Sequence, residues 1–373
     1  LYFLHREEEL RMLYDRRDFG LLRLAGTYQW LPAAPLKKLS ALKTLRREAE
    51  LLSTLGLVSY ARSGEYLMPS PQGYEFLSGI DQTCQPPTKR PYAQSPALRR
   101  RLEVGTILLT CIGAGIEPAF GKVEHLKRQP VFFPAFALRN AGGNLMNAAG
   151  CAGFGHWGST AYMTLYVSAQ NTGFVMTNEL GHLHNLASVF SETLDTPQAL
   201  ILAGESYQSV YEVLTKKTLS KRHGKKGFVD YSEAYQKLSI PACIVSCDNT
   251  GVMQLAVMRQ TDYRARIAQA AFGARWDSKD DGIPEADGHV DGNPLVIAVD
   301  MDLRRLDRVC TAAVRQGRKE IMVAALEGQM SGLLLSILPN NAQVLSVAFG
   351  GDCKTGDPWP DAPLTLKGGF VHV

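Results

Sequence analysis

Apolar residues in the first eighty positions recur at the spacing of short amphipathic helices and then alternate as in paired strands. Trp30-Leu31-Pro32 interrupts the first helical pattern, and Gly56 ends the third. An Arg62-Ser63-Gly64-Glu65 turn separates two short apolar runs, which predicts a hairpin. The predicted order is helix, helix, helix, strand, strand and helix, over residues 18–28, 33–39, 45–55, 57–61, 66–68 and 69–77.

The pattern breaks at residues 81–96, which include four prolines and few apolar side chains. Such a composition predicts a linker. Lys89 and Arg90 lie within this segment and Arg99 to Arg101 follow it, so the linker is basic. It is suited either to tracking phosphates or to serving as a solvated hinge. The predicted organisation is a domain over 1–80, a linker over 81–96 and a larger domain over 97–373.

After the linker, a long helical pattern covers residues 97–114, and strand and helix patterns then alternate. A Gln170-Asn171-Thr172-Gly173 turn predicts a hairpin over 161–177. Farther along, buried strands are separated by helical stretches of about 10–15 residues, which is typical of right-handed βαβ units. The predicted strands are 131–138, 199–203, 242–246, 295–299, 320–325 and 343–348, and the helices are 206–215, 251–258, 303–316 and 330–337. This pattern predicts an α/β fold whose larger, mixed domain has a partly parallel sheet.

The third predicted helix is basic and runs into Leu-Gly-Leu-Val at 55–58, and the following hairpin contains Gly-Glu-Tyr at 64–66. This arrangement resembles winged helix-turn-helix domains, in which the third helix enters the major groove of double-stranded DNA and the wing contacts the backbone. The resemblance implies that Lys43, Arg46 and Arg47 of the third helix face DNA. It also implies backbone contacts from Arg62 at the wing tip and from Lys37 and Lys38 on the second helix. Glu48 and Glu50 on the same helix favour the alternative of a protein-interaction module.

The net charge of +4 at pH 7 conceals two opposed patches. Acidic residues gather over 277–291, whereas cations gather on the third helix, in the linker and over 216–226. Within that last run we interpret four cations as a second phosphate contact, and a solvated loop is the alternative. The four are Lys221, Arg222, Lys225 and Lys226. So modest a net charge predicts DNA binding that weakens quickly with salt.

A winged helix, a basic linker and an α/β domain of restriction-enzyme size form a layout similar to the replication-relaxation proteins of plasmids and conjugative elements. The layout is more distantly similar to plasmid relaxases with a nuclease-like core. The resemblance implies a sequence-specific DNA-binding protein of a mobile element, acting in replication, transfer or regulation. A symmetric homodimer is compatible with that role. We therefore expect a binding protein without a cofactor rather than an enzyme.

Asp300 and Asp302 lie where a predicted strand ends, the usual place for functional residues in an open α/β sheet. Two carboxylates on one side of a strand end are suited to holding Mg²⁺ for phosphodiester cleavage. The lysine of restriction-enzyme-like nucleases is absent here, because Leu303 and Arg304 follow. We therefore favour the hypothesis that one of the two aspartates caps the next helix. A metal-dependent nuclease or relaxase and a ligand-responsive regulator stay as alternatives.

Two further motifs carry potential chemistry. The glycine-rich segment 150–158 lacks the order G-x-G-x-x-G, so we interpret it as a loop that allows close backbone approach. Residues 178–185 include Glu179, His182 and His184, to which a distant His156 would have to be added for a zinc or iron site. Polar residues at a strand end are the favoured interpretation of that segment.

The seven cysteines are odd in number, scattered and mostly set in apolar runs, as expected for reduced thiols of a cytoplasmic protein. The longest apolar run, 104–116, is shorter than the roughly 18–20 residues that a membrane span requires. Arg6-Glu7-Glu8-Glu9 interrupts any signal-peptide pattern in the first ten positions. We therefore expect a cytoplasmic protein that makes no membrane contact.

Overall fold

The fold is given by a computed structural model, which describes most of the chain. The described residues are 20–61, 64–79, 84, 86–87, 95–120, 129–137, 151–168, 196–215, 217–222, 225–230, 235–279, 282–330, 332–349, 364–366 and 371–372. The chain forms two compact units, which divide between Gly113 and Ala114. Within the described ranges, no helix is both long and apolar enough to cross a membrane.

The smaller, N-terminal unit combines helices with a short antiparallel sheet. Its helices are α1 Gly20–Tyr28, α2 Ala33–Lys38, α3 Lys43–Thr54, α4 Pro71–Ser78 and α5 Pro96–Gly113. Its strands are β1 Leu31–Pro32, β2 Val58–Ala61 and β3 Tyr66–Pro69. Strand β3 is central and pairs antiparallel with both neighbours. The sequence pattern predicted these elements to within a few residues, except for β1, which is too short to show a periodicity.

Apolar side chains of α1 and α3 build the core of this unit. Leu21 and Ala25 of α1 are buried, and so are Ala49 and Leu52 of α3. Spacings of three and four residues place each pair on one helix face, as in an amphipathic helix. Gly56 then adopts a φ of 73° and turns the chain from α3 towards β2, a conformation that costs little only for glycine.

Helix α5 belongs to this smaller unit, although its position after the linker had assigned it to the larger domain. The Tyr28 hydroxyl donates a 2.5 Å hydrogen bond to the Arg101 carbonyl. The Arg101 guanidinium lies 5.0 Å from the centroid of the Tyr28 ring, in a cation–π contact. Gly105 lies against Pro32 so closely that a Cβ there would be 2.5 Å from the Pro32 Cδ. The helix therefore packs through its interior turns against α1 and β1.

The larger unit begins with two sets of strands. They are β4 Glu117–Pro118, β5 Val131–Pro134, β6 Cys151–Trp157, β7 Thr160–Tyr166, β8 Gln198–Gly204, β9 Lys217–Arg222, β10 Lys225–Asp230 and β11 Ala242–Ser246. Strands β9 and β10 form a separate antiparallel hairpin. The others form one sheet in the order β11-β8-β7-β6-β5-β4. In this sheet β7, β8 and β11 run parallel, whereas β5, β6 and β7 alternate in direction.

A second sheet and further helices complete the larger unit. Its strands are β12 Trp276–Asp277, β13 His289–Val290, β14 Asn293–Ile297, β15 Ile321–Leu326, β16 Ala342–Phe349, β17 Leu364–Leu366 and β18 Val371–His372. Strands β14, β15 and β16 are parallel. The helices are α6 Tyr207–Thr215, α7 Asn249–Met258, α8 Tyr263–Phe272, α9 Leu303–Arg315 and α10 Leu333–Ile337. The parallel strands confirm the predicted α/β class and its partly parallel sheet.

One apolar core joins the two sheets of the larger unit. Ile244 of β11, Val296 of β14 and Val323 of β15 are buried in the same cluster. The backbone links the sheets as well, because the Ile244 N–H donates to the Met301 carbonyl just after β14, at 3.3 Å. Parallel strands with apolar residues at successive positions are typical of sheets covered on both faces.

Residues 151–158 of the glycine-rich segment form a strand and a turn, so the interpretation of the segment as a loop was wrong. Gly153 and Gly155 lie in β6, where a Cβ would overlap the rings of Phe132 and Trp157 respectively. These glycines therefore make room for large buried side chains within the sheet. The predicted hairpin over 161–177 was also wrong, because β7 pairs with β6 on one edge and with β8 on the other. The predicted turn and second strand, 170–177, lie outside the described residues.

The substitution Gly105→Ala tests the packing of α5. Alanine gains about 1 kcal/mol of helix propensity, but overpacking against Pro32 costs about 1–3 kcal/mol. We expect a net loss of stability and faster amide hydrogen exchange in α1 and α5, with unchanged exchange in β14 to β16. Gly20→Ala is the matched control, because no atom lies within 4 Å of the added Cβ. Equal amide protection in the two variants would contradict this packing.

Candidate functional site

The solvent face of α3 presents a mixed set of side chains. Lys43, Thr44, Arg47 and Leu51 are all exposed. Arg47 follows Lys43 by four residues and Thr44 by three, and Leu51 follows Arg47 by four, so the set lies on neighbouring turns of the helix. Leu51 is 48% exposed, which leaves an apolar group beside the cations. One helix therefore presents two of the cations predicted to face DNA, a hydroxyl and an apolar group, together with the exposed carboxylate of Glu50.

Arg46 has a different role from its neighbour Arg47. Its guanidinium donates hydrogen bonds to the carbonyl oxygens of Leu36, at 2.9 Å, and Leu39, at 3.2 Å. These carbonyls lie at the C-terminal end of α2, where backbone acceptors lack partners within the helix. Arg46 therefore holds α2 against α3, and its contact with DNA stays a prediction.

The other charges predicted in this unit are divided between its core and its surface. The Leu21 N–H donates a 2.8 Å hydrogen bond to Glu48, so that carboxylate supports the start of α1. Lys37 and Lys38 are exposed at the end of α2. The Lys37 ammonium lies 5.6 Å from the centroid of the Tyr60 ring on β2, in a cation–π contact. Arg62 lies outside the described residues.

The dense cationic run of the larger unit lies on strands β9 and β10, so the alternative that placed it in a loop was wrong. Lys225 is directly opposite Arg222, and Lys226 is directly opposite Lys221. Like charges at opposite positions destabilise an antiparallel pair. The strand register therefore sets four cationic positions of the sequence opposite one another in two cross-strand pairs.

Asp302 caps helix α9, as the favoured hypothesis predicted. One carboxylate oxygen accepts a 3.3 Å hydrogen bond from the Arg305 N–H in the first turn of the helix. The other accepts a 3.1 Å hydrogen bond from the Ala242 N–H, where β11 begins. This side chain therefore fixes the start of α9 and the start of β11 at once.

Asp300 lies in a buried ionic cluster and is 1% exposed. Its Oδ1 accepts a hydrogen bond from the Asp302 N–H at 3.2 Å. Its Oδ2 accepts a bond from the Tyr263 hydroxyl at 3.2 Å and a further one from the Arg264 guanidinium. Both oxygens of both aspartates thus accept hydrogen bonds from the protein. The nuclease alternative had assigned these two carboxylates to Mg²⁺, whereas in the structure they join elements of the fold.

Two buried arginines in the first turn of α9 extend the cluster. Arg304 donates to backbone carbonyls ahead of β11, those of Tyr235, Leu238 and Ile240. Arg305 donates to the carbonyls of Glu285 and Ile297 and to the Asp287 carboxylate. Its Nη1 is also 3.7 Å from Asp300. The arginines therefore connect α9 to the segments that precede β11 and β14.

The cluster shifts the pKa values of its two carboxyls in opposite directions. Burial alone would raise the pKa of Asp300, but the guanidinium groups of Arg264 and Arg305 outweigh it and lower that pKa below its ordinary value. Burial and the neighbouring Asp300 charge raise the pKa of Asp302. Burial, followed by the two carboxylates, raises the pKa of the Cys243 thiol. The cluster therefore favours a charged Asp300 and a protonated Cys243 at neutral pH.

A cleft of about 500 Å³ opens beside this cluster. It lies where β8 and β11 begin and where α8 starts, between residues that include Tyr162, Cys243, Tyr263, Arg264, Trp276 and Asp287. Arg264 is 35% exposed at its side chain, although it binds the buried Asp300. The cleft therefore brings aromatic rings and one edge of the ionic cluster to the surface.

Sequence reasoning missed this cleft because it missed α8. Tyr263 and Arg264 begin that helix, and only the third- and fourth-residue spacing of Ile267, Ala268 and Phe272 could have indicated it. Asp262 immediately before the helix is a residue type common at helix starts, although its side chain makes no capping bond here. The pairing of Arg264 with Asp300 spans 36 positions and has no local signal in the sequence.

The histidines considered as metal ligands are not brought together by the described residues. Glu179, His182 and His184 lie outside the described ranges. The Nε2 of His156 is 2.8 Å from the Gln129 amide nitrogen, which can donate to it. Within the part of the chain that the structure describes, no three His, Cys, Asp or Glu side chains are grouped as metal ligands would be.

Comparison of the chain with models of known protein families, with curated proteins and with solved structures gives no match. Three features of the molecule itself therefore bear on its function. They are the exposed face of α3, the cationic β9–β10 hairpin and the ionic cluster with its cleft.

The substitution Asp300→Asn tests the ionic cluster. It removes the charge that balances Arg264 and Arg305 while keeping the shape of the side chain. Breaking a buried ion pair from one side costs about 3–5 kcal/mol. Because Arg264 is partly exposed and screened by solvent, we expect a loss of about 3 kcal/mol at pH 7 in urea denaturation.

The pH dependence of that loss follows from the lowered pKa of Asp300. A carboxyl with a lowered folded pKa contributes its full stability above its unfolded value of about 3.9, and loses it as the pH falls through the folded value. The difference between wild type and Asp300→Asn should therefore stay constant from pH 7 to about pH 5 and shrink only in stronger acid. Asp262→Asn is the control, at an exposed position with an expected change within about 0.5 kcal/mol. A difference that already shrinks above about pH 5 would count against this assignment.

Proposed function

We propose that the smaller unit binds double-stranded DNA in a sequence-specific manner, with α3 in the major groove and the β2–β3 hairpin beside the backbone. The observation that carries this proposal is the exposed face of α3, with its cations, hydroxyl and apolar group. The order α1-β1-α2-α3-β2-β3 supports it, because the resemblance to winged helix-turn-helix domains predicts a third helix followed by a hairpin.

The exposed side chains of α3 match the chemistry of base edges in the major groove. Arginine donates two hydrogen bonds to guanine, threonine bonds to several base edges, and apolar groups contact the thymine methyl. We assign these roles to Arg47, Thr44 and Leu51 respectively. Lys43 and Lys38 are assigned to phosphates, which position a protein without reading sequence.

The β9–β10 hairpin is proposed as a second phosphate contact. Its register sets cationic positions opposite each other in two cross-strand pairs, and repulsion between like charges at such positions destabilises an antiparallel pair. A phosphate backbone would relieve that repulsion and release counterions. The cationic run would then add affinity without adding sequence preference.

The same proposal includes replication, transfer or regulation of a plasmid or conjugative element as the setting. Its support is the layout of a small basic unit, a proline-rich segment and a larger α/β unit. A symmetric homodimer would read a palindromic site with half-sites about one helical turn apart. Metal-dependent cleavage by Asp300 and Asp302 is not proposed, because both carboxylates are used within the fold.

Two adjacent arginines allow a sharp test of DNA binding. After a preferred site has been selected from a random pool, Arg47→Ala should weaken binding to it by about 1–3 kcal/mol and relax the preference at one base pair. Its unfolding midpoint should not change, because Arg47 is exposed. Fluorescence anisotropy at fixed salt and urea denaturation measure the two effects.

Arg46→Ala should show the opposite pattern. It removes the guanidinium that donates to the Leu36 carbonyl and one of the two donors to the Leu39 carbonyl, so we expect a lower unfolding midpoint while the folded protein keeps its base preference. Arg266→Ala controls for net charge, because Arg266 is exposed on α8 of the other unit. Wild-type affinity in Arg47→Ala, or an equal loss in Arg266→Ala, would overturn the proposed role of α3.

Replacing Lys221, Arg222, Lys225 and Lys226 with glutamine tests the second contact. The slope of log K against log salt should become less negative by up to about 4, because each lost phosphate contact removes nearly one released counterion. The selected sequence should stay the same. An unchanged slope would exclude the hairpin as a DNA contact and would leave the assignment of α3 intact.

A further inference from the structure

In the cleft of the larger unit, a hydrogen-bond donor of Arg264 lies beside a hydrogen-bond acceptor of Asp287, and neither has a hydrogen-bond partner among the described residues. The Nη2 and Nε of Arg264 donate to Asp300 and to the Tyr263 hydroxyl. Its Nη1 lies 3.8 Å from the Asp287 Oδ1, which is too long for a hydrogen bond. The other Asp287 oxygen accepts from Arg305 and from a backbone N–H. Among the described residues, neither the Nη1 nor the Oδ1 makes a hydrogen bond, yet both are held in place by buried partners.

Aromatic side chains line the same cleft. The Trp276 indole is fixed by a 2.9 Å hydrogen bond from its Nε1 to the Asp287 carbonyl. Tyr162 is buried and stacks on Trp157 with ring centroids 4.4 Å apart, so the partly exposed rings of Trp276 and Tyr263 are the ones left for a ligand. Stacking of a base on an aromatic side chain is worth about 1–3 kcal/mol. The cleft is therefore suited to a flat ring whose edge reaches the donor and the acceptor.

The charges around the cleft favour an uncharged ligand. Arg264 and Arg305 are balanced by Asp287 and Asp300, and the exposed Asp262 adds a negative charge at the rim. No excess of positive charge is available to hold a phosphate among these described residues. The volume of about 500 Å³ lies within the range of small-molecule sites.

From the donor–acceptor pair, the aromatic rings and this charge balance, we infer that the cleft binds a nucleobase, with Arg264 donating to a ring acceptor and Asp287 accepting from an adjacent N–H. Nucleobases present neighbouring donors and acceptors on the edge used for pairing, and proteins read unpaired bases through that edge and by stacking. The base can come from a free nucleoside or from an unpaired position in a strand, and any phosphate stays outside the cleft. The inference does not depend on DNA binding by α3.

Calorimetric titration of the full chain with guanosine, adenosine, cytidine and uridine tests this site. We expect saturable binding of one nucleoside per chain for at least one of the four, and no tighter binding of its 5′-monophosphate. Binding of none of them would overturn the inference. A monophosphate that binds more than about tenfold, or 1.4 kcal/mol, tighter would also overturn it, because the charge balance argues against a phosphate site.

A matched pair of variants locates the binding. Ala265→Trp places a large side chain at an exposed lining position and should abolish nucleoside binding. Ala270→Trp places the same side chain at an exposed position of the same helix that does not line the cleft, and should bind as wild type. Arg264→Lys keeps the charge opposite Asp300 but loses the planar fork, so we expect up to about tenfold weaker binding. Equal binding by the two tryptophan variants would place the nucleoside elsewhere and contradict the inference.

A final comparison identifies the source of the base. A short single strand with the preferred base at its centre is compared with the same strand carrying an abasic site there. Tighter binding of the intact strand, lost in Ala265→Trp, identifies an unpaired base in a strand. Equal binding of both strands, together with nucleoside binding that Ala265→Trp abolishes, identifies a free nucleoside.

Discussion

The larger unit depends on the buried carboxylate of Asp300. A charge in so dry a position is tolerated only when opposite charges and hydrogen bonds surround it, and α8 and α9 supply them through Arg264 and Arg305. Met301 follows with a φ of 53°, and the next residue, Asp302, caps α9 and binds the start of β11. Two carboxylates thus require the two helices, the end of β14 and the start of β11 to dock together.

The ion pairs of Asp300 also fix the polar groups that line the cleft. One edge of the Arg264 guanidinium is bound to Asp300. Its Nη1 then lies 3.8 Å from the Asp287 Oδ1, which is too far for a hydrogen bond. Asp287 is held on its other oxygen by Arg305. A donor and an acceptor that are fixed in place but have no hydrogen-bond partner need little rearrangement to bind a ligand. Such preorganisation raises affinity, because less free energy is spent on ordering the site. Stability and binding are therefore linked through one arginine.

The local pattern of apolar residues was sufficient to predict most helices and strands, but it was insufficient to predict the ionic cluster and its cleft. Strands β8, β11 and β15 are short apolar runs and α9 has a strong amphipathic stripe, so the runs predicted the strands and the stripe predicted the helix. By contrast, the ion pair between Arg264 and Asp300 joins distant positions, and no periodicity reports a pairing of that kind. The glycines of β6 look like a loop in the sequence, because the large rings that fill the space beside them become visible only in the folded sheet.

The two adjacent arginines of α3 show that sequence pattern can also be insufficient within a single helical turn. Arg46 and Arg47 are chemically equal in the sequence, but a rotation of about 100° along the helix separates them. One reaches the carbonyls at the end of α2 and the other reaches solvent. Counting cations therefore overstates a binding surface wherever some of them complete the fold. The net charge of +4 is the sum of both kinds, and only the charges without such a structural role are available to a polyanion.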